Sequence, residues 1–439
     1  MMDGLCCFFV RKMKVLHIST IDGGGAGLAA YRLHKALLKE GIDSLMLVAE
    51  KTVDEKTIIQ AEQSPQLLYQ PPQSYVLRKF EKVMRRRGHF LTRFEAVQKE
   101  MEMKQNCYPN VFFTSSISTY DLSTHPLVQE ADIIHLHWIQ NFLNFDDFFE
   151  KVKKPIVWTL HDLNPMFGGF HHVRLRDDYY EVFRHLEDEF YEMKKRALKG
   201  KDNVSLVAIS SQMHQKILNH EFFEGKPIYD IYNSVDADKF RILDRQTVRT
   251  ILGLPSRSKV VLFVNRNLND GQKGLSMLVE ALGMLKRKDL LLVCVGSGVI
   301  PYHEYLETRQ FLPVSDSIWL SVLYSAADCL ALPSYQEAFS QTSLEAMCCG
   351  TPVVMTPVSG SDDLIADFNG IRCDDFTVEA LAKGISAVLE RQYDRERIHD
   401  DVVARFGVDA IVKSYLQMYQ EVLANADGYA PLHNYHKPE

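Results

Sequence analysis

Short apolar runs, bounded by glycine, proline or polar clusters, alternate with longer stretches of helical periodicity along most of the chain. Lys14–Thr20, Ser44–Val48, Ile133–Trp138, Ile156–Leu160, Val204–Ile209 and Ile228–Tyr232 read as strands in the first half. Val260–Val264, Leu290–Val295, Cys329–Leu332 and Val353–Met355 read as strands in the second. The pattern predicts helices over Leu28–Lys39, Asp177–Lys199, Leu275–Leu285, Leu320–Ala326, Val378–Glu390 and Asp409–Ala424. One more helix starts near Ser340, whose hydroxyl suits the cap position. It ends at Gly350, with Pro352 just beyond. The fold class this predicts is α/β, with two doubly wound, Rossmann-like halves facing one another across a cleft.

Two stretches break the rhythm. From Tyr75 to Lys104, apolar residues at helical spacing (Leu77, Phe80, Val83, Met84, Leu91, Phe94, Val97, Met101) are interleaved with Arg78, Lys79, Lys82, Arg85, Arg86, Arg87 and Arg93. This is a basic amphipathic helix or helix pair, either packed on its own domain or lying on an anionic membrane face. Ala237–Ser258 is polar, with Gly253 and Pro255, and reads as an interdomain segment. The expected organisation is a first domain over 13–236, a second over 237–408, a helix over 409–425 packing back on the first, and a polar tail over 426–439. The residues before Lys14 read as a leader, which leaves Met1 and Met13 as alternative starts.

Composition narrows the function. At 439 residues the chain exceeds one ordinary core. Its net charge of −7 argues against a nucleic-acid binder. Leu5–Val10 is the only apolar core near the start, preceded by Asp3 and no basic residue. It makes a poor signal peptide and favours a cytoplasmic location. None of the eight cysteines stands in a C-x-x-C pair, so no zinc site or redox dithiol is indicated.

The candidate chemistry gathers in three places. In Leu332–Met355 a strand, a loop and a capped helix place first-turn amides where an anion such as phosphate binds. Glu337 and Glu345 flank those amides; carboxylates would repel phosphate, so they suit sugar hydroxyls instead. Arg266 and Lys273 follow the strand Val260–Val264 and suit a diphosphate whose charge grows as it leaves. In the first half, Gly23–Gly27 follows a strand, as phosphate-binding glycines do, and His161-Asp162 closes another. Competing patterns exist. Gly25-Ala-Gly-Leu-Ala-Ala30 with Glu50 fits a dinucleotide fingerprint, and His161, Asp162, His171 and His172 form a loose set of metal-type side chains without ligand spacing.

Gly23–Gly27, Trp158–Asp162, Asn233–Asp236, Arg266 with Lys273-Gly274, Gly296–Gly298, and Pro333-Ser334 through Gly350–Val353 occur in one order over about residues 14 to 425. In these motifs the chain resembles retaining glycosyltransferase family 4, of GT-B fold. Asp132–Trp138 and Ser340–Glu345 resemble the subgroup that builds bacterial exopolysaccharide and lipopolysaccharide. The resemblance implies a nucleotide-sugar donor held in the second half and domain closure over it. Glu337 would contact the sugar and Glu345 the ribose. Amides around Ser340, Gln341 and Thr342 would hold the diphosphate, with Gly24 and Gly25 letting backbone approach the donor. Arg266 and Lys273 would stabilise the leaving group, and His161 would lie near the reaction centre. It implies no metal and no cofactor, and an acceptor that is a glycan or lipid-linked oligosaccharide; the basic Tyr75–Lys104 stretch adds, as a further expectation, peripheral contact with the inner membrane face. The competing functions are a nucleotide-sugar epimerase or phosphorylase-like enzyme, a nicotinamide oxidoreductase, and a non-catalytic sugar-binding protein.

Overall fold

The computed structural model describes residues 12–64, 67–68, 74–86 and 91–426. The strands are β1 (Lys14–Ile21), β2 (Asp43–Glu50), β3 (Ile58–Gln60), β4 (Ile133–Leu136), β5 (Ile156–Leu160), β6 (Val204–Ala208) and β7 (Ile228–Asp230), then β8 (Lys259–Asn267), β9 (Leu290–Ser297), β10 (Glu307–Phe311), β11 (Cys329–Leu332), β12 (Val353–Met355) and β13 (Gly370–Arg372). They form a seven-stranded sheet in the order β3-β2-β1-β4-β5-β6-β7 and a six-stranded sheet in the order β10-β9-β8-β11-β12-β13. β1 pairs in parallel with β2 and β4, and β8 with β9 and β11. In both sheets the order reverses beside a central strand, which is the topology of a doubly wound sheet.

The chain forms two compact units. One runs through Val207 and takes in His220–Pro227 and the chain from Leu416; the other comprises Ala208–Asn219 and Ile228–Tyr415. β5 and β11 are buried along their length: all of Ile156–Leu160 and all of Cys329–Leu332 are inaccessible or nearly so. Burying such side chains stabilises each sheet by about 1.5–3 kcal/mol per large residue. The last helix, Val408–Ala426, brings Tyr419 into the first unit, where its hydroxyl lies 2.6 Å from His135 Nδ1.

Several expected boundaries move. The first helix begins at Gly24, so the glycines form its first turn instead of a preceding loop. A Cβ on Gly27 would stand 2.3 Å from the Ile21 carbonyl, and that close approach is what brings the helix up against the end of β1. The Tyr75–Lys104 stretch divides into helices Tyr75–Arg86 and Arg93–Cys107. Thr92 and Glu95 make a reciprocal capping box that starts the second. Arg87 lies outside the described residues.

The largest revision concerns Ala237–Ser258. It contains the helix Arg245–Ile251, and Arg249, 4% exposed, donates to Asp328 at 2.7 Å and to the Ala326 carbonyl at 2.9 Å. A polar composition suggested a linker, but its polar side chains fasten it to the second unit. Most of the proposed leader lies among residues 1–11 and most of the proposed tail among 427–439, outside the described residues.

Candidate active site

In the second unit the site begins where β8 and β11 end. β8 carries an irregularity between Val264 and Asn267, which contains Arg266 and leaves it exposed. Beyond it, Asp270 accepts from Gln272 N at 3.0 Å and starts the turn Gly271–Lys273. Gly274 follows with φ +73°, and a Cβ there would sit 2.0 Å from the Pro333 carbonyl. Tyr335 N donates to the Gln272 carbonyl at 2.9 Å. Glycine thus lets the loop after β8 lie directly on the loop after β11.

That closeness sets the charged pair. Lys273 Nζ donates to Glu337 Oε1 at 2.7 Å, and Ser334 Oγ donates to the same oxygen at 2.8 Å. The Ser334 carbonyl is held in turn by Thr356 Oγ1 at 2.5 Å. Burial by itself would lower the Lys273 pKa, but the adjacent Glu337 carboxylate outweighs it and the pKa is raised. Lys273 therefore keeps its charge at neutral pH.

The helix Gln341–Cys348 starts as expected. Ser340 Oγ accepts from Ser343 N at 3.2 Å, and Thr342 Oγ1 lies 3.1 Å from the same hydroxyl. Ser340 is 3% exposed, so its side chain serves as the cap, and only its backbone neighbourhood remains for a ligand. Gln341 and Thr342 are half-buried in the first turn. Glu345, 6% exposed, accepts from Tyr324 OH at 3.1 Å, and Tyr324 is fully buried. Tyr324 was not foreseen from sequence, because it lies in a different helix, Ser317–Ala326. Gly350, at φ +69°, ends the helix against Arg395, which donates to the Cys349 carbonyl at 2.8 Å.

In the first unit, His161 directly follows β5 and is half-buried. His161 Nε2 lies 3.2 Å from His137 Nδ1, and His137 Nε2 lies 2.9 Å from His17 Nδ1. Burial pushes the His161 pKa down to about 4, partly opposed by Asp162. Burial also holds His17, His135 and His137 well below the ordinary histidine value, and neighbouring imidazoles add to it. All four rings are neutral at pH 7. The sequence did carry a signal for this group: histidines inside the apolar strands Lys14–Thr20 and Ile133–Trp138, with His135 and His137 two apart and so on one face of the sheet.

Asp162 orders the loop beyond His161. It accepts from His171 Nδ1 at 2.7 Å, Trp138 Nε1 at 3.0 Å and Asn164 N at 2.9 Å. Its pKa falls to about 2: burial opposes the charge, but the His171 contact and the other donors prevail. The buried ammonium of Lys194 donates to the Asn164 and Phe167 carbonyls at 2.7 and 2.9 Å, and burial pushes its pKa down to about 7. These bonds occupy Asp162 and His171 as a hydrogen-bonding hub.

A second group, His17, His135 and His137, has ring nitrogens close enough together for an ion. Both His135 nitrogens are bonded to hydroxyls, of Tyr419 and Thr159, while His17 and His137 bond each other. Gly24 opens the first helix at φ +68°, and a Cβ on Gly25 would meet nothing within 4 Å. The first positive φ explains a glycine at 24; packing within the chain does not require one at 25.

The structure therefore joins Lys273 with Glu337, and Ser340 with Thr342, in the second unit, which also carries Arg266, Gln341 and Glu345. His161, Gly24 and Gly25 belong to the first.

Residues 244–401, which hold all the second-unit candidates, match the family model of glycosyl transferases group 1. The chain is a glycosyltransferase. It is 26% identical over 315 residues to an uncharacterised glycosyltransferase of Methanocaldococcus jannaschii, covering 67% of this chain and 76% of that protein. It is 32% identical over 202 residues to the D-inositol 3-phosphate glycosyltransferase of Mycolicibacterium smegmatis, an alignment that spans 42% of this chain and 46% of the relative. In fold, the glycosyltransferase is similar to Anabaena HepE in complex with UDP and glucose, with a TM-score of 0.58, 18% identity, and coverage of 93% of this chain and 99% of that one. Its two parallel-sheet α/β units match GT-B glycosyltransferases. These curated relatives do not single out the exopolysaccharide subgroup, since one acts on an inositol phosphate.

Proposed function

We propose that the protein moves a sugar from a nucleotide diphosphate donor to a hydroxyl of a glycan or lipid-linked oligosaccharide, with retention of anomeric configuration, on the cytoplasmic side of cell-surface polysaccharide synthesis. The observation that carries this reading is the Lys273–Glu337 pair at the carboxyl ends of β8 and β11, in a unit where Glu345 is buried on the adjoining helix. An ammonium and two carboxylates answer the two halves of such a donor, phosphate on one side and hydroxyls on the other.

On donor binding, the sugar hydroxyls donate to Glu337 and the ribose hydroxyls to Glu345. Lys273 then turns toward the diphosphate, joined by Arg266 and the amides of Gln341 and Thr342. As the bond from the anomeric carbon to the phosphate oxygen breaks, these groups neutralise the charge that collects on the diphosphate. The acceptor hydroxyl attacks from the same face, and its proton passes to the departing phosphate oxygen. Two fixed cations supply the charge compensation, so the reaction proceeds without a divalent metal. Gly24 and Gly25 let backbone amides reach the donor, and His161 contacts its sugar.

The helix Tyr75–Arg86 supports peripheral membrane contact. It exposes Leu77 (55%) and Val83 (50%) beside exposed Arg78, Lys79 and Lys82, a pairing of apolar and basic groups that suits an anionic lipid surface. Among the described residues no helix is long and apolar enough to cross a membrane.

The deciding experiment is a thermal-shift screen against UDP-, GDP-, ADP- and TDP-sugars, followed by product analysis with the hit. A donor that binds only the folded state at about 100 times its Kd adds about 2.7 kcal/mol of stability. No shift with any nucleotide sugar, and no transfer, would refute the reading.

A further inference from the structure

Three imidazoles of the first unit form an unbranched hydrogen-bonded chain from the sheet interior to the candidate site. His17 lies on β1, His137 just past the end of β4, and His161 just past the end of β5. His17 Nδ1 is 2.9 Å from His137 Nε2, and His137 Nδ1 is 3.2 Å from His161 Nε2. The other polar groups around the chain are engaged elsewhere. His135 bonds Thr159 and Tyr419, His34 bonds Ser44 and Thr57, and Asp162 bonds His171 and Trp138.

A neutral imidazole has one N–H and one bare nitrogen. The middle ring, His137, must therefore accept from one neighbour and donate to the other, so the chain has a direction. Either every Nδ1 carries its hydrogen, or every Nε2 does. The far end decides between them. His17 Nε2 is buried and, among the described residues, has no hydrogen-bond partner. The Nε2–H arrangement would bury a donor there with no acceptor, and orphaned buried N–H groups are rare in native proteins. The Nδ1–H arrangement leaves only a bare nitrogen at that point.

We propose that His17 and His137 are positioning residues that hold His161 as its Nδ1–H tautomer, so that His161 presents a neutral hydrogen-bond donor to an oxygen of the sugar substrate. His161 Nε2 is taken by His137, which leaves Nδ1 as the nitrogen for a ligand. The burial that keeps all three rings neutral at pH 7 also makes His161 a donor without making it an acid. The contact to sugar rests on the proposed function; the tautomer does not.

The test has two readouts. Long-range proton–nitrogen correlations in the histidine-labelled full chain, assigned with single variants, should show hydrogen on Nδ1 and a bare Nε2 at His17, His137 and His161. An Nε2–H at His161 overturns the proposal, whatever the protein's activity. In kinetics, His17→Leu should lower kcat by about fivefold, the worth of one ordinary hydrogen bond, with donor KM changed less. His17→Asn, whose amide can donate from the Nδ1 position, should recover most of that loss. Equal loss in both folded variants, judged by unchanged melting, overturns it. Expected tautomers in a protein that transfers no sugar would leave this assignment standing and remove the proposed function instead.

Discussion

Tyr324 donates its hydroxyl to Glu345 Oε2 at 3.1 Å, and neither side chain is more than 6% exposed. A buried carboxylate needs such a donor, because an ionised group taken out of water without partners is costly. The bond orients the carboxylate that is read as holding the ribose, and it ties the helix Gln341–Cys348 to the helix Ser317–Ala326.

Tyr324→Phe should therefore act at a distance from the ligand. Removing one hydrogen bond to a charged group costs about 1.5–3 kcal/mol. That loss should appear as a lowered melting temperature and weaker donor binding, both measurable by calorimetry. Glu345→Ala should weaken donor binding by about 1–3 kcal/mol. The double variant should cost less than the sum of the two, since both changes remove one interaction. Strict additivity would mean that Tyr324 does not act through Glu345.

Lys273→Ala should lower kcat more than it changes acceptor KM, since the proposed mechanism places its charge on the departing diphosphate. A change confined to acceptor KM would sink that role. Glu337 loses its ammonium partner in the same variant, so Lys273→Ala with Glu337→Gln is the informative pair. If the second change restores stability but not turnover, the ion pair and the catalytic charge are separated.

The buried imidazoles make the first unit sensitive to acid. For His17, His135, His137 and His161, the folded-state pKa lies below the ordinary 6.5, the first cause in each case being burial. Below pH 6.5 the unfolded chain binds protons that the folded chain does not. Stability is thus full above that pH and falls as pH drops toward the depressed values, at up to about 1.4 kcal/mol per pH unit for each buried ring. The midpoint in urea should fall between pH 7 and pH 5, and by less in His135→Gln, provided that variant folds. A flat profile would contradict the neutral assignment.

Transfer should survive EDTA if, as proposed, Arg266 and Lys273 carry the charge compensation. Loss of activity that added magnesium or manganese restores would refute the metal-independent mechanism.

Binding to vesicles containing anionic phosphatidylserine should weaken as salt rises and should be lost when Leu77, Lys79, Lys82 and Val83 are replaced by Ser. Equal binding by that variant would remove the helix Tyr75–Arg86 from the interface.

The amino-acid sequence by itself determined the alternation of strands and helices and the local starts and stops of several second-unit elements. Ser340 as a helix cap, Gly350 as its end and Val378–Glu390 as a helix all stand where local periodicity and capping chemistry put them. These features depend on residues within a few positions of one another, so a sequence displays them directly. The Ala237–Ser258 segment failed for the same reason. Its polarity is local, whereas the bond from Arg249 to Asp328 that packs it spans 79 positions.

Only the tertiary structure decided who bonds whom. Lys273 and Glu337 are 64 positions apart, Tyr324 and Glu345 are 21 apart, and His17 and His137 are 120 apart. The last pair meets because β1 lies beside β4 in the sheet. Strand order follows from how the whole chain buries its apolar faces, and no local pattern states it.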